Sequence, residues 1–583
     1  MECYPHKAQY APGDTVQILV EAPRGTVALE ADLWQQTEVI ARLRAEPGQP
    51  LLWEAPQCEW AAYGVQCRAL DAEGALLAAG QTAFDVADHW SRAPRMGFMT
   101  DFSDGETLTE TRRRMQLLTR LHVNCLDFYD WFYCHHSYIP PEEHFVDPLG
   151  RELSLISVRR KIRLASEAGI ATVAYGPIYG ADESFVREHP DWALYRSDGV
   201  PFNVARLFFI MDFRADSPWT AHILREYTRA VAELGFDGIL IEQYGYPKRA
   251  LPYPGHLGQA SIDLSDHFLP FIVAAQAAIT AVRPDSRVLF HAMNNWPLRK
   301  VSAGPQAANY MQVFSPYDTY RDLRDLIAHA RSMAPSKAVI LGTPLSIYTS
   351  ASPEQADNAL LLLTAVIHVA GGFQLVLGEG EGVLTEGYFP HYARLRPPMR
   401  RQMQAYYDFI VRYGPLLQAP PEADVSETHG GGVTEVYSFA GSPTSPMPTP
   451  GCVWTLVREH SDLVSIHLVN LTGTATGRWN EAQSPPPTVR NLTVTCKVLE
   501  PVAAVYWSTP DAEAEAGQLQ AVPFTLEPDS HSGHLLRFVV PTVDCWSMVL
   551  IVPGRVVTEE REVSIHADCT VAGCQPGDSP LAR

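Results

Sequence analysis

Two hydrophobic rhythms divide the chain. In the first stretch, "TVQILVEA" and "TVALEADLW" mix β-branched residues with partial alternation, and "APGD" and "APRG" punctuate them as turns. Short strands at this spacing predict a small β-sandwich over residues 1–90. From Arg95 onward the rhythm changes. Helical stretches such as "ETLTETRRRMQLLTRL" separate short, unalternating apolar runs. Eight runs stand out: "VNCLDFYD", "ATVAYGPIYG", "RLFFIMDF", "FDGILIEQ", "RVLFHAMNN", "YMQVFSPYD", "AVILGTPL" and "FQLVLGEGEG". Alternating α and β with buried strands means a parallel sheet. Eight such units predict a (β/α)8 barrel over residues 91–417. An open doubly wound sheet is the alternative, and it lacks a GxGxxG after the first strand. After Leu417 the helical pattern stops. "LVSIHLVNLTG", "LTVTCKVLE" and "CWSMVLIVPG" predict an all-β domain over 418–555. The tail, 556–583, has little periodicity and is expected to be disordered.

Composition narrows the partners. A chain of 583 residues is too long for one hydrophobic core, so a multidomain α/β protein is expected. The formal net charge of -21 disfavours nucleic acid and anionic membrane, which offer no counter-charge. The longest apolar stretch, "NALLLLTAVIHVAGG", is too short to span a bilayer and contains His368, so it reads as a buried helix. "MECYPHKAQYAPGD" is not a signal peptide, which leads to the expectation of a cytoplasmic protein. The ten cysteines form no CxxC pair and are expected to be reduced thiols. Nothing in the sequence sets an oligomeric state or calls for a cofactor.

In a barrel of this type, chemistry lies at the C-terminal ends of the strands. The apolar runs end in Asp130, Trp131 and His135; in Tyr175; in Glu242, Gln243 and Tyr244; in Asn294 and Trp296; in Tyr317 and Asp318; and in Glu379. Rings stack on the apolar faces of sugars, and carboxylates and amides bind hydroxyls directionally. Convergence of both residue types predicts an oligosaccharide substrate, which also suits an acidic protein. Each residue alone has a plainer reading as a cap, a turn or a core ring. Cys134, His135 and His136 raise the question of a metal. Adjacent residues on an extended segment point to opposite sides, so no metal site is predicted. The GxSxG elbow and the GxxxxGK[ST] loop are both absent.

"RAPRMGFMTDF", "LHVNCLDFYDWFYCHH", "ATVAYGPIYGADE", "MDFRADSPW", "LGFDGILIEQYG", "LVLGEGEGVLTEGYFPH" and "QAYYDFIVRYGPLL" together resemble glycoside hydrolase family 66, which contains endo-dextranases and cycloisomaltooligosaccharide glucanotransferases. The resemblance implies an N-terminal immunoglobulin-like β-sandwich, a (β/α)8 barrel and a C-terminal β-sandwich. It also implies retaining cleavage of α-1,6-glucan by hydrolysis or transglycosylation, through two carboxyl groups about 5–5.5 Å apart. Glu242 stands where that family has a nucleophilic Asp on strand four. "NYMQVFSPYDTYRDL" stands where the family's acid/base Glu ends strand six, and it contains no Glu. Asp318 or Glu379 is then the acid/base candidate. Asp130, Trp131, His135, Tyr175, Asn294, Trp296 and Tyr317 are the substrate-binding candidates. A second reading is a non-hydrolytic carbohydrate-binding protein, with the charge of Glu242 balanced by Lys248 or Arg249.

Overall fold

The computed structural model describes residues 1–554 other than 205, 255–259, 431–434, 513–515 and 530–532. The predicted tail, with Cys569 and Cys574, lies outside the described residues. At the centre is one curled eleven-stranded sheet. Its parallel strands in chain order are β1 (Met96–Met99), β2 (Cys125–Phe128), β3 (Ala171–Pro177), β4 (Gly238–Glu242), β5 (Arg287–Met293), β6 (Ala308–Gln312), β7 (Ala338–Gly342), β8 (Phe373–Leu375) and β9 (Leu377–Gly378). Each strand from β1 to β7 pairs in parallel with the next, and β9 pairs with β1 through Gly378 and Phe98. The segment broken at Val376 thus supplies both ends of the parallel row. Two short antiparallel strands, Gly382–Val383 and Ala393–Arg394, complete the sheet.

Every residue of β2, β4 and β6 is buried, as expected of a sheet covered on both faces. Helices cover the outer face, among them α1 (Leu108–Arg120), α2 (Leu155–Glu167), α3 (Glu183–Glu188) and α4 (Pro218–Arg229). The start of α1 is set by a capping box, in which Thr107 and Glu110 satisfy each other's backbone N–H. Ser217 caps α4, with Pro218 in its first turn. "NALLLLTAVIHVAGG" forms the buried end of a helix, Pro353–Val369. Gly238 on β4 is required by close approach, because a Cβ there would sit 2.0 Å from the Arg287 carbonyl oxygen on β5.

One of the apolar runs was assigned differently by the fold. "RLFFIMDF" is not a strand of the sheet. Phe208–Phe209 pairs with Asn203–Val204 in a two-stranded hairpin and Phe209 bridges Ala181, while Ile210, Met211 and Phe213 are buried within the loop that follows. β3 pairs directly with β4, and the additional strand is β1, four residues long, too short to stand out as a hydrophobic run, and set between β9 and β2. A buried loop and a buried strand have the same composition, and periodicity cannot separate them.

Before the curled sheet, a three-stranded and a four-stranded antiparallel sheet share one core, with Val16, Ile18 and Leu51 from one facing Leu33, Val65 and Phe84 from the other. After it, a seven-stranded and a four-stranded sheet enclose a second core that includes Val453, Ile466, Val494 and Phe538. The eight cysteines of the described residues are free thiols. No helix among the described residues is long and apolar enough to cross a membrane.

A buried ion pair joins the first β layer to the curled sheet. Arg95 donates to Asp85 at 2.8 and 3.0 Å, with side chains only 3% and 1% exposed. Arg95 also donates to the His122 carbonyl at 2.7 Å, and Asp85 accepts from Gln9 at 2.9 Å. Truncating one partner strands the other charge out of water. Arg95→Ala is therefore expected to cost about 3–5 kcal/mol in urea unfolding, and adding Asp85→Asn should recover part of it. A loss under about 1 kcal/mol would mean that the pair does not tie these layers together.

Candidate active site

β4 ends in a carboxylate because its apolar run stops at Ile241 and the chain turns at once. Glu242 is 5% exposed. His291, on neighbouring β5, places Nδ1 2.6 and 2.7 Å from the two carboxylate oxygens. Burial raises the carboxyl above its ordinary range, and His291 opposes that shift. Gln243 is fully buried beside it and donates to the backbone oxygens of His291 and Trp296 at 3.0 and 3.2 Å, fixing β4 against the loop after β5. Lys248 instead lies over the Trp296 ring at 5.3 Å, and Arg249 faces Asp263 at 3.9 Å. The partner of Glu242 is His291.

Close to this pair is a cavity of about 570 Å³, lined by Tyr129, Asp130, Phe132, His135, Tyr175, Phe208, Tyr244, Tyr388 and His391 among others. Its aromatic walls brace one another. Tyr129 stacks on Phe389 at 4.4 Å, Phe208 tilts against Tyr244 at 5.0 Å, and the Tyr175 hydroxyl donates to that of Tyr244 at 3.3 Å. Glu242 is off the lining of this cavity. Asp130 lies on it, with φ of +50° and a side chain 16% exposed. Asp is one of the few residues that accept this left-handed conformation, because its short polar side chain bonds locally. The nearest cation, Arg151, stays 3.9 Å away and gives its shorter bonds to Asp147 and to the Asp130 carbonyl, both at 2.7 Å. Burial therefore dominates and raises the Asp130 carboxyl from 3.8 to about 7, with Asp147 and Glu242 adding to the rise. Asp127, on β2, is more extreme. Burial drives its pKa well above the usual range, and neither carboxyl oxygen has a hydrogen-bond partner among the described residues. Both burial and the lack of a partner disfavour the ionised form of its carboxyl.

The residues expected from sequence divide into two groups. Asp130, His135 and Tyr175 meet at the cavity. Burial lowers the His135 imidazole to about 4, so it is neutral there. The others lie elsewhere. Trp131 is fully buried and donates its indole N–H to the Tyr175 carbonyl at 3.2 Å, so it is a core ring behind the wall. Asn294, in a left-handed turn, bonds the backbone of Phe314 and Ser315 at 2.6 and 2.9 Å. Trp296 packs edge-on against Phe268 at 5.4 Å. Tyr317 accepts the Trp479 indole N–H at 2.7 Å through its carbonyl, at the contact with the last β layer. Asp318 is 3.3 Å from Arg478 in the same contact. Glu379 is fully buried; its Oε1 accepts from both Thr100 groups at 2.9 and 2.8 Å and from the Asp101 N–H at 2.8 Å, and its Oε2 lies 3.7 Å from Lys161. That carboxylate anchors the loop after β1.

The sequence reading did not assign Tyr388 and His391 to the site, although "GYFPHY" carries their aromatic signal. Phe208 was hidden inside a run read as a strand.

The sequence model of Glycosyl hydrolase family 66 matches residues 5–550. Two proteins of Niallia circulans, both cycloisomaltooligosaccharide glucanotransferases, are similar to the chain. One is 22% identical, with 93% of this chain and 71% of that protein covered. The other is 22% identical over 81% of this chain, which spans 63% of that protein's length. A crystal structure of a Paenibacillus sp. cycloisomaltooligosaccharide glucanotransferase complexed with cycloisomaltoheptaose superposes with a TM-score of 0.84 at 19% identity, covering 94% of this chain and 99% of that one. At that identity the likeness is one of fold.

Because Asp130 gains protons on folding, its contribution has a definite sign. The folded pKa of about 7 exceeds the ordinary 3.8, so stability falls as pH rises through that window and levels off above it. Asp130→Asn tolerates the same backbone and cannot ionise. Its melting temperature should match that of the wild type near the bottom of the window and exceed it above the top. Parallel pH profiles for the two proteins would show that the Asp130 carboxyl is not held out of water.

Proposed function

This chain belongs to glycosyl hydrolase family 66, and from that premise we propose that it is a glycoside hydrolase or transglycosylase acting on α-linked, α-1,6 gluco-oligosaccharides. The observation that carries this reading is the aromatic cavity with Asp130 on its wall. Flat rings supply stacking faces for glucose units. A carboxyl raised to about 7 supplies a proton near neutral pH. In a retaining mechanism, Glu242 is the nucleophile and Asp130 donates the proton to the leaving oxygen, then withdraws one from water or an acceptor sugar. The assignment of the proton to Asp130 departs from Asp318 and Glu379. One of those is paired with Arg478, and the other is buried in a loop anchor. The relatives named as cycloisomaltooligosaccharide glucanotransferases support the choice of substrate class.

The same proposal extends to the architecture. The curled sheet is read as a (β/α)8 barrel over 91–417, closed where the chain crosses from β8 to β9. This is supported by the pairing of those two strands with β7 and β1. The flanking β layers are read as an immunoglobulin-like domain over 1–90 and a β-sandwich over 418–555.

A second reading, a carbohydrate-binding protein without turnover, is favoured by one observation. Glu242 is gripped by His291 and lies off the cavity lining.

Product formation from isomaltooligosaccharides and aryl α-glucosides separates the two. Asp130→Asn should lower kcat by about 10²–10⁴-fold, and Glu242→Gln should abolish turnover, with sugar binding retained in both. Full activity in both variants would remove these residues from the mechanism. Calorimetric binding of the sugars without any turnover by the wild type would establish the second reading.

A further inference from the structure

The loop after β2 carries two adjacent histidines, and the fold sends them in opposite directions. His135 turns into the cavity, its ring 4.3 Å from Phe208. His136 turns outward. Its Nδ1 lies 3.3 Å from Oδ1 of Asp182 and 3.7 Å from Sγ of Cys134. One ligand atom from each of the three residues falls within 4.8 Å of the others. We infer that Cys134, His136 and Asp182 form a binding site for a divalent cation of the zinc class, held by one thiolate, one imidazole and one carboxylate, with a fourth position left to water.

The spacing fits that chemistry. Sulfur, nitrogen and oxygen ligands around tetrahedral zinc stand about 3.3–3.6 Å apart, given bonds of about 2.0–2.3 Å. The two distances above lie close to that range. The thiolate selects the class, because calcium and magnesium take oxygen ligands.

The surroundings add an independent indication. Asp182 occupies the N-cap position of α3 with an extended backbone, yet its side chain makes no capping bond. An Asp at that position ordinarily accepts from the first-turn N–H groups; this one faces His136 instead. Cys134 is buried and free of any disulfide. The His136 ring is seated 4.7 Å from Phe185, and its carbonyl is 2.7 Å from Nε2 of His222. The Asp182 and His136 side chains are 40% and 19% exposed, which opens the site to an entering ion.

A cation here would tie the loop after β2 to the loop after β3. The first loop carries Asp130, Phe132 and His135 of the cavity wall. The second is already interlocked with it, since a Cβ on Gly180 would lie 2.9 Å from Cδ2 of His135. The site is outside the cavity and does not depend on the reaction proposed for it.

The test uses the full chain, stripped with a chelator and titrated with cobalt(II), then zinc(II). One cobalt per chain should give visible tetrahedral bands and a near-ultraviolet thiolate-to-cobalt charge-transfer band, both displaced by zinc. Cys134→Ser should abolish the charge-transfer band, and His136→Gln and Asp182→Asn should each weaken binding roughly tenfold or more. Zinc should raise the melting temperature of the wild type and leave that of Cys134→Ser unchanged. Absence of the bands in the wild type, or their persistence in Cys134→Ser, overturns the site. If Cys134→Ser fails to fold, Asp182→Asn decides, and unchanged cobalt affinity there overturns it.

Discussion

The cost of holding carboxyl groups out of water at the C-terminal ends of parallel strands shapes this molecule. A buried carboxylate must find a cation, collect hydrogen bonds or keep its proton. All three solutions occur side by side. Glu379 collects backbone and hydroxyl donors from the loop after β1. Glu242 finds an imidazole on the next strand. Asp127 meets neither, and its burial disfavours the ionised form. Asp130 lies between these extremes, with Arg151 near enough to limit the shift but too far to abolish it. The same functional group thus meets different surroundings within one end of the sheet.

The layers around the curled sheet are tied to both of its ends. The Arg95–Asp85 pair fixes the first β layer beneath β1. Asp408 accepts from Thr82 at 2.8 Å and faces His122 at 2.9 Å, tying the helix Pro397–Arg412 to the same layer. At the opposite side, Trp479 reaches back to Tyr317, and the Asn480 side chain accepts from Ile347 N–H at 3.2 Å. These contacts explain why residues just beyond β6, expected to face a substrate, are occupied with structure. Asp318 and Tyr317 follow a strand end, as their sequence position suggests, and the last β layer then claims them.

Much of the fold was legible in one dimension. Unalternating apolar runs separated by helical segments require a parallel sheet covered on both faces, and the order of β, α/β and β regions is visible in the change of rhythm. A carboxylate directly after "GILI" has to end a buried strand. The aromatic and acidic character of the strand ends also follows from residue types alone. Local periodicity reports burial, however, and burial does not say which element is buried. That is why "RLFFIMDF" reads as a strand while four residues at Met96–Met99 supply β1.

Direction was decided only in three dimensions. Trp131 and Asp130 are neighbours, yet one ring fills the core and the other side chain reaches the cavity. His135 and His136 part in the same way, one toward Phe208 and the other toward Asp182. The partner of Glu242 lies 49 positions away on another strand, and Tyr388 reaches Tyr129 from the far end of the curled sheet's sequence. The sequence by itself determined which residue types crowd the strand ends. The tertiary structure decided which of them face the cavity, because that depends on loop conformation and on the desolvation each group meets, and neither is a local property of the chain.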